Sequence, residues 1–126
     1  MVAKVLVVDD SSVMRELLAL HLRNAGYAVS TADDGVAGGY AVLRERPDLI
    51  ICDVRMPNLD GYEFVCALRS DDAVRDIPVI FLSSESDAGQ AAKELGAVGY
   101  LPKPVRADAL LSLVGASVRD GVIPIG

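Results

Sequence analysis

The segment 47–61 constrains the fold more than any other part of this chain. Four apolar residues, Leu49 to Cys52, run without a polar interruption, which is typical of a parallel strand covered on both faces. The run stops at the carboxylate of Asp53, and turn-forming residues follow at 56–61. Asp53 is therefore predicted at the carboxyl end of a central strand, the edge at which α/β sheets gather their ligands. Taken alone, Asp53 could equally end a strand or cap the next helix.

Apolar runs alternate with helical patterns along the whole chain. The predicted strands are 4–8, 27–32, 49–53, 77–82 and 98–101, and the predicted helices are 12–25, 35–46, 62–70, 87–95 and a last helix ending near 120–121. Five strands alternating with five helices predict an α/β fold, a doubly wound (βα)5 three-layer sandwich with a parallel sheet. Residues 1–121 are interpreted as one domain, and 122–126 as a tail or the start of a linker.

Two helices have apolar positions that we assign to one face each, and Met14 and Leu17 are interpreted as core residues. In the first helix these positions are Met14, Leu17, Leu18, His21 and Leu22. In the second they are Val36, Tyr40 and Leu43. The glycines at 38 and 39 should weaken the second helix by about 1 kcal/mol each relative to alanine.

Composition excludes several classes of protein. The net charge of −6 argues against nucleic-acid binding, which usually requires a strongly basic face. Cys52 and Cys66 cannot form a disulfide framework, and no Cys/His cluster has metal-site spacing. The only histidine, His21, is interpreted as a helix-edge residue, with a general base as a remote alternative. Since no leader or long apolar segment precedes the first strand, a cytoplasmic protein without a membrane partner is expected.

The carboxyl ends of parallel strands meet at one edge, which places several polar side chains together. These are Asp9 and Asp10 after the first strand, Asp53 after the third, Ser83 after the fourth and Lys103 after the fifth. Two like charges 4 Å apart repel by ~4 kcal/mol at an effective dielectric constant of 20, so three carboxylates require a counter-charge. Oxygen ligands without imidazole or thiolate favour Mg²⁺ or Mn²⁺, with Lys103 assisting. Such a site is suited to a phosphoryl group, and a carboxylate can accept one.

Four motifs at these strand ends resemble the signatures of the response-regulator receiver domain of two-component signalling. They are Val-Val-Asp9-Asp10-Ser, Asp53-Val-Arg-Met-Pro57-Asn-Leu-Asp-Gly61, Phe-Leu-Ser83-Ser and Gly-Tyr100-Leu-Pro-Lys103-Pro104. The resemblance covers essentially the whole chain. It implies a flavodoxin-like, chemotaxis-regulator fold with strand order 2-1-3-4-5, and a regulatory domain that catalyses only its own phosphorylation and dephosphorylation.

The resemblance also implies roles for the acidic residues. Asp53 would accept a phosphoryl group from a sensor histidine kinase, a histidine phosphotransfer protein or a small phosphodonor. Asp10, Asp53 and the Arg55 carbonyl would bind Mg²⁺ directly, and Asp9 would bind it through water. Lys103 would pair with the phosphate.

Ser83 and Tyr100 would form the switch. The resemblance implies that Ser83 moves toward the phosphoryl oxygens and that Tyr100 swings inward behind it, although an aromatic residue on a short edge strand is more often simply packed. The changed face would be recognised by a downstream protein or output domain, and a phosphorylation-dependent dimer is a further implication. The first helix and the Pro104 loop would dock the kinase, and the Lys103-Pro104 peptide bond is expected to be cis.

Two other functions fit the same motifs less well. A Mg²⁺-dependent phosphatase with an aspartyl-phosphate intermediate would require an acid two residues after Asp53, where Arg55 stands. A pseudo-receiver that binds partners without phosphorylation would not need all of its acidic positions filled. The resemblance further implies that Arg55 and Glu85, two residues after the acceptor and two after the switch hydroxyl, tune the lifetime of the phosphoryl group, and we expect their opposite charges to pair across it and hinder water attack.

Overall fold

Five parallel strands form one sheet in the order β2-β1-β3-β4-β5, with helices on both faces. The computed structural model describes residues 2–84 and 88–118. The strands are β1 (Lys4–Val8), β2 (Ala28–Ala32), β3 (Leu49–Asp53), β4 (Val79–Ser83) and β5 (Gly99–Pro102). The helices are α1 (Ser12–Asn24), α2 (Gly35–Arg44), α3 (Gly61–Arg69), α4 (Ala88–Glu94) and α5 (Ala107–Ser117). The predicted fold class and strand order are confirmed.

The apolar runs become the central strands because both of their faces are covered. All five residues of β3 and all five of β4 are buried. One face of the sheet packs against α2 and α3 through residues such as Leu6, Ile50 and Phe81. The other face packs against α1 and α5 through alternate residues such as Val7 and Ile51. Burial on both sides explains why these runs show no alternation of apolar and polar residues.

Side-chain caps fix the beginnings of three helices at the carboxyl edge of the sheet. Ser11 accepts a hydrogen bond from the Met14 backbone N–H at the start of α1, and Asp34 accepts one from Ala37 at the start of α2. Asp60 forms a capping box with Glu63 at the start of α3. Each of these caps satisfies backbone N–H groups that the first turn leaves without intrahelical partners.

The residues that face outward on α1 and α2 are not the ones that the sequence predicts. In α1 the buried residues are Leu18, Ala19 and Leu22, whereas Leu17 is 42% exposed. Leucines at 17, 18, 20 and 22 make more than one face apolar, so periodicity alone could not choose between them. The assignment of Leu17 to the core is therefore wrong.

In α2 the small residues face inward and the large ones outward. Gly35, Gly38, Ala41 and Val42 are buried, while Val36, Tyr40 and Leu43 are exposed. The reason is close packing, because a Cβ at position 38 would lie 3.2 Å from atoms of Phe64 and Val8. Gly38, which was expected to lower the stability of the helix, allows the helix to pack closely against the sheet.

Element boundaries differ from the predicted ones by one or two residues. The predicted strand 77–82 is shifted to Val79–Ser83, and the predicted helix 35–46 ends at Arg44. The tail at 122–126 and the end of the last helix near 120–121 lie outside the described residues. Within the described ranges, no helix is long and apolar enough to cross a membrane.

Candidate functional site

Neighbouring strands β1 and β3 bring three carboxylates together at the carboxyl edge of the sheet. Asp9 follows β1, Asp53 ends β3, and Val8 lies beside Cys52 in the register of the two strands. One oxygen from each of Asp9, Asp10 and Asp53 lies within 4.8 Å of the others. Asp9 and Asp53 are buried, with 0% and 3% of their surface exposed, whereas Asp10 is exposed at the rim. We call this set of three residues the acidic pocket.

Lys103 supplies the positive charge in this pocket. Its Nζ lies 3.0 Å from Asp53 Oδ1 and 3.8 Å from Asp9 Oδ2. Its backbone N–H donates to the Ser83 carbonyl over 3.0 Å, which joins the ends of β4 and β5. The Lys103-Pro104 bond is cis, as the resemblance implied.

Among the described residues, Asp9 accepts a side-chain hydrogen bond on only one of its two carboxylate oxygens. Its Oδ1 accepts a hydrogen bond from the Ser11 backbone N–H over 2.9 Å. Its Oδ2 is buried and has no hydrogen-bond partner among the described residues. Arg15 donates to the Asp9 carbonyl over 2.8 Å, so it helps to hold the pocket wall. Sequence reasoning missed Arg15, and its only signal was a basic residue one turn into the helix that follows the acids.

Burial sets the protonation behaviour of the pocket. It raises the pKa of Asp9 above its usual value, although the hydrogen bond from Ser11 opposes this effect. It also raises the pKa of Asp53, against the lowering effect of the Lys103 ammonium and of the Arg55 backbone N–H. Keeping both carboxylates ionised in the folded protein therefore costs free energy. A bound cation would reduce that cost.

The donor set fits a hard divalent cation. The cluster consists of carboxylate oxygens. Burying Asp9 Oδ2 without a hydrogen bond is unfavourable, and a cation or its bound water would remove this desolvation penalty. Mg²⁺ is commonly held by one or two carboxylates together with phosphate oxygens and water, so few protein ligands are required.

The loop from β3 to α3 requires two particular residues. Asn58 has a φ of 69°, the left-handed conformation that asparagine tolerates better than most residues. Gly61 lies directly against the strand end, because a Cβ at this position would overlap the Asp53 carbonyl oxygen and lie 3.0 Å from Val54 Cα. Its backbone N–H donates to the Val54 carbonyl over 2.8 Å, which fixes α3 against the residue after Asp53.

The other predicted site residues lie around this edge. Ser83 is 2% exposed and ends β4, where Pro102 is its neighbour on β5. Tyr100 is 40% exposed on the edge strand β5, beside Phe81. Arg55 is exposed just after β3, whereas Glu85 lies outside the described residues. The effect of Arg55 and Glu85 on phosphoryl lifetime therefore stays a prediction.

Comparison with known proteins is consistent with this geometry. Residues 5–115 match the family model described as the response regulator receiver domain. The response regulator MprA of Mycobacterium leprae is 39% identical over 118 residues, which are 92% of this chain and 51% of that protein. This chain therefore spans about half the length of the curated relatives it matches.

Two solved structures are similar over almost the whole chain. The chemotaxis response regulator CheY4 of Vibrio cholerae superposes with a TM-score of 0.87 at 38% identity, covering 93% of this chain and 99% of that one. A response regulator receiver protein of Pseudomonas putida superposes with a TM-score of 0.82 at 32% identity, covering 92% and 98% of the two chains.

Proposed function

This chain belongs to the response-regulator receiver domain family of two-component signalling, and we propose that Asp53 is its phosphoacceptor and Lys103 the cation that stabilises the phosphorylated form. Receiver domains are regulatory modules, and they interact with histidine kinases or phosphotransfer proteins. The observation that supports the assignment best is the 3.0 Å contact between Lys103 Nζ and Asp53 Oδ1 inside a cluster of three carboxylates.

The proposed step is a transfer of one phosphoryl group. A carboxylate oxygen of Asp53 attacks the phosphorus of a phosphohistidine, a new P–O bond forms, and the P–N bond breaks as the imidazole leaves. The buried position of Asp53 supports this role, because a dry site strengthens the interaction between Lys103 and the transferred oxygens. Hydrolysis of the same P–O bond would return the carboxylate, so the domain would act chemically only on itself.

Receiver domains bind Mg²⁺ at an acidic pocket, and we propose that Asp10, Asp53 and the Arg55 carbonyl are the direct protein ligands here. Asp9 would act through a bound water, and Mn²⁺ could replace Mg²⁺. When bound, the cation supplies the positive charge that three carboxylates and an incoming phosphoryl group require.

The proposed output is a change in a protein-binding face. A phosphoryl group on Asp53 adds a charge of about −1.5 to −2, and Ser83 at the end of the neighbouring strand would bind its oxygens. Tyr100, which is 40% exposed on β5, would move inward behind Ser83. A downstream protein or an output domain would recognise the altered β4 and β5 region, and phosphorylation-dependent dimerisation is a further expectation.

Labelling by a small phosphodonor is expected to depend on Mg²⁺ and on Asp10. Chelating Mg²⁺ should slow labelling of the wild-type chain at least tenfold, because the charge of the pocket then repels the donor. Asp10→Ala should label at the slow rate with or without Mg²⁺, and Mg²⁺ titration should show no binding. Labelling of Asp10→Ala that responds to Mg²⁺ as the wild type does would contradict the assigned ligand.

Phosphotransfer from a kinase is expected to use the exposed apolar residues of α1 near the pocket. Val13 is 74% exposed and Leu17 is 42% exposed, one and two turns after the acids. Introducing charge by Val13→Glu should reduce kcat/KM for transfer from a phosphorylated sensor kinase about tenfold or more, which corresponds to ~1.4 kcal/mol of lost docking energy. Labelling by a small phosphodonor should not change.

The matched control is Leu43→Glu on α2, which removes a leucine that is 73% exposed but lies away from α1. Equal losses of kinase transfer in Val13→Glu and Leu43→Glu would show that the α1 surface has no special role.

A further inference from the structure

The outward side of α2 carries large apolar residues that no part of the described chain covers. Val36, Tyr40 and Leu43 are 53%, 67% and 73% exposed, and their spacing places them along one side of the ten-residue helix. They belong neither to the acidic pocket nor to the α1 residues proposed to dock the kinase. We call Val36, Tyr40 and Leu43 the α2 stripe. Contiguous apolar surface of this kind marks interaction sites.

A groove beside the α2 stripe extends the apolar surface toward α3. Its volume is about 320 Å³, and its floor contains Leu59, Phe64 and Leu68. Gly39 also lines the groove, and a Cβ at that position would meet nothing within 4 Å. The missing side chain leaves room for a bulky group from outside at the middle of the helix.

The charges at the two ends of α2 have opposite signs. Asp33 and Asp34 immediately precede the helix, and Arg44 is its last residue. Asp33 and Arg44 are both exposed, and neither takes part in an ion pair between residues of the described ranges. This arrangement suits a second α2 that runs antiparallel to the first, because Arg44 of each copy then approaches Asp33 of the other.

The apolar residues fit the same two-fold arrangement. Positions 36 and 43 are equally far from the midpoint between Gly39 and Tyr40, so Val36 of one copy meets Leu43 of the other. The Tyr40 ring of each copy meets Gly39 of the other, where the Cβ is missing. At a rise of 1.5 Å per residue, Arg44 and Gly35 each lie about 7 Å along the axis from the midpoint, and Asp33 precedes Gly35 by two residues, a separation that an arginine side chain can span. A two-fold interface uses one patch on both copies, as this patch allows.

We propose that the α2 stripe binds a second copy of this chain through antiparallel packing of the two α2 helices. The contact is one helix wide and falls at the small end of protein interfaces, so the dissociation constant is expected on the order of 10–100 µM. Because α2 is separate from the acidic pocket and from β4 and β5, the dimer forms with or without a phosphoryl group. It leaves α1 available to a kinase.

Sedimentation equilibrium of the chain between about 10 µM and 1 mM tests the interface. The wild type should show a reversible monomer–dimer equilibrium, and Tyr40→Glu should weaken it at least tenfold while far-UV circular dichroism stays unchanged. Leu20→Glu is the matched control, because Leu20 is 54% exposed on α1. It should dimerise as the wild type does, and both should do so without any phosphodonor.

A charge exchange tests the antiparallel direction. Asp33→Arg and Arg44→Glu should each weaken the dimer several-fold, and the double variant should recover to within about twofold of the wild type. A wild type that stays monomeric at 1 mM, a dimer that Tyr40→Glu does not weaken, or a double variant weaker than both single variants would overturn the proposal. Dimerisation that requires the phosphodonor would also overturn it.

Discussion

Gly61→Ala is expected to lower the free energy of unfolding by about 3 kcal/mol or more. The added methyl group would overlap the backbone carbonyl of Asp53, and neither backbone segment can rotate away as a side chain could. Overpacking of a buried site costs about 1–3 kcal/mol when side chains can adjust, and this site offers only backbone. Because the strand end itself must shift, the variant should also label more slowly with a phosphodonor. Urea unfolding and intact-mass kinetics measure the two effects.

Gly39→Ala is the matched control for this prediction. In the monomer it places the same methyl group in open space inside a helix, so at concentrations below those of dimerisation it should stabilise the protein by up to about 1 kcal/mol through helix propensity. If Gly61→Ala and Gly39→Ala change stability equally, close backbone approach is not what requires glycine at position 61.

Asp9→Asn is expected to stabilise the metal-free protein by about 1–2 kcal/mol. The substitution keeps an oxygen that can accept from the Ser11 N–H, and it replaces the unsatisfied Oδ2 by an amide that can donate to the neighbouring carboxylates. It also removes one of three clustered negative charges, at the cost of a 3.8 Å attraction to Lys103. A buried polar atom without a partner costs about 1–3 kcal/mol, which sets the scale. Thermal or urea unfolding in EDTA measures the gain.

The advantage of Asp9→Asn should depend on pH and on Mg²⁺. Burial raises the pKa of Asp9, so the folded wild type takes up a proton more readily than the unfolded chain. The penalty is therefore complete above the raised pKa, falls as the pH drops through the raised pKa, and disappears below the usual carboxylate pKa. Mg²⁺ should also reduce the difference in stability between Asp9→Asn and the wild type, because it binds the folded wild type.

The control is Asp72→Asn, at an exposed surface ion pair, which should change stability by less than about 0.5 kcal/mol. A difference between Asp9→Asn and the wild type that widens on acidification would contradict this account.

Strand ends were the most predictable part of this molecule. The runs at 5–8 and 49–53 are buried on both faces, so their sequences could form few other structures, and the residues that follow them had to meet at one edge. That is why the sequence alone predicts that Asp9, Asp53 and Lys103 lie together. Arg15 could not be found in this way, because its contact depends on the direction of one long side chain.

Helix faces were less predictable because surface apolar residues imitate core residues. The spacing of Val36, Tyr40 and Leu43 is that of an amphipathic helix, but it describes the outward side of α2. Close packing at Gly38 decided which side faces the sheet, and no local pattern in the sequence contains that information. If the α2 stripe binds a second copy, the spacing does predict a buried face. That face is then buried by the second copy and not by the sheet.

The central claim, that Asp53 receives the phosphoryl group, is tested most directly by the intact mass of the chain after incubation with a small phosphodonor and Mg²⁺. The wild type should gain the mass of one phosphoryl group, and Asp53→Asn should gain none, while Asp60→Asn at the nearby helix cap should label as the wild type does. Equal labelling of the wild type and Asp53→Asn would contradict the account.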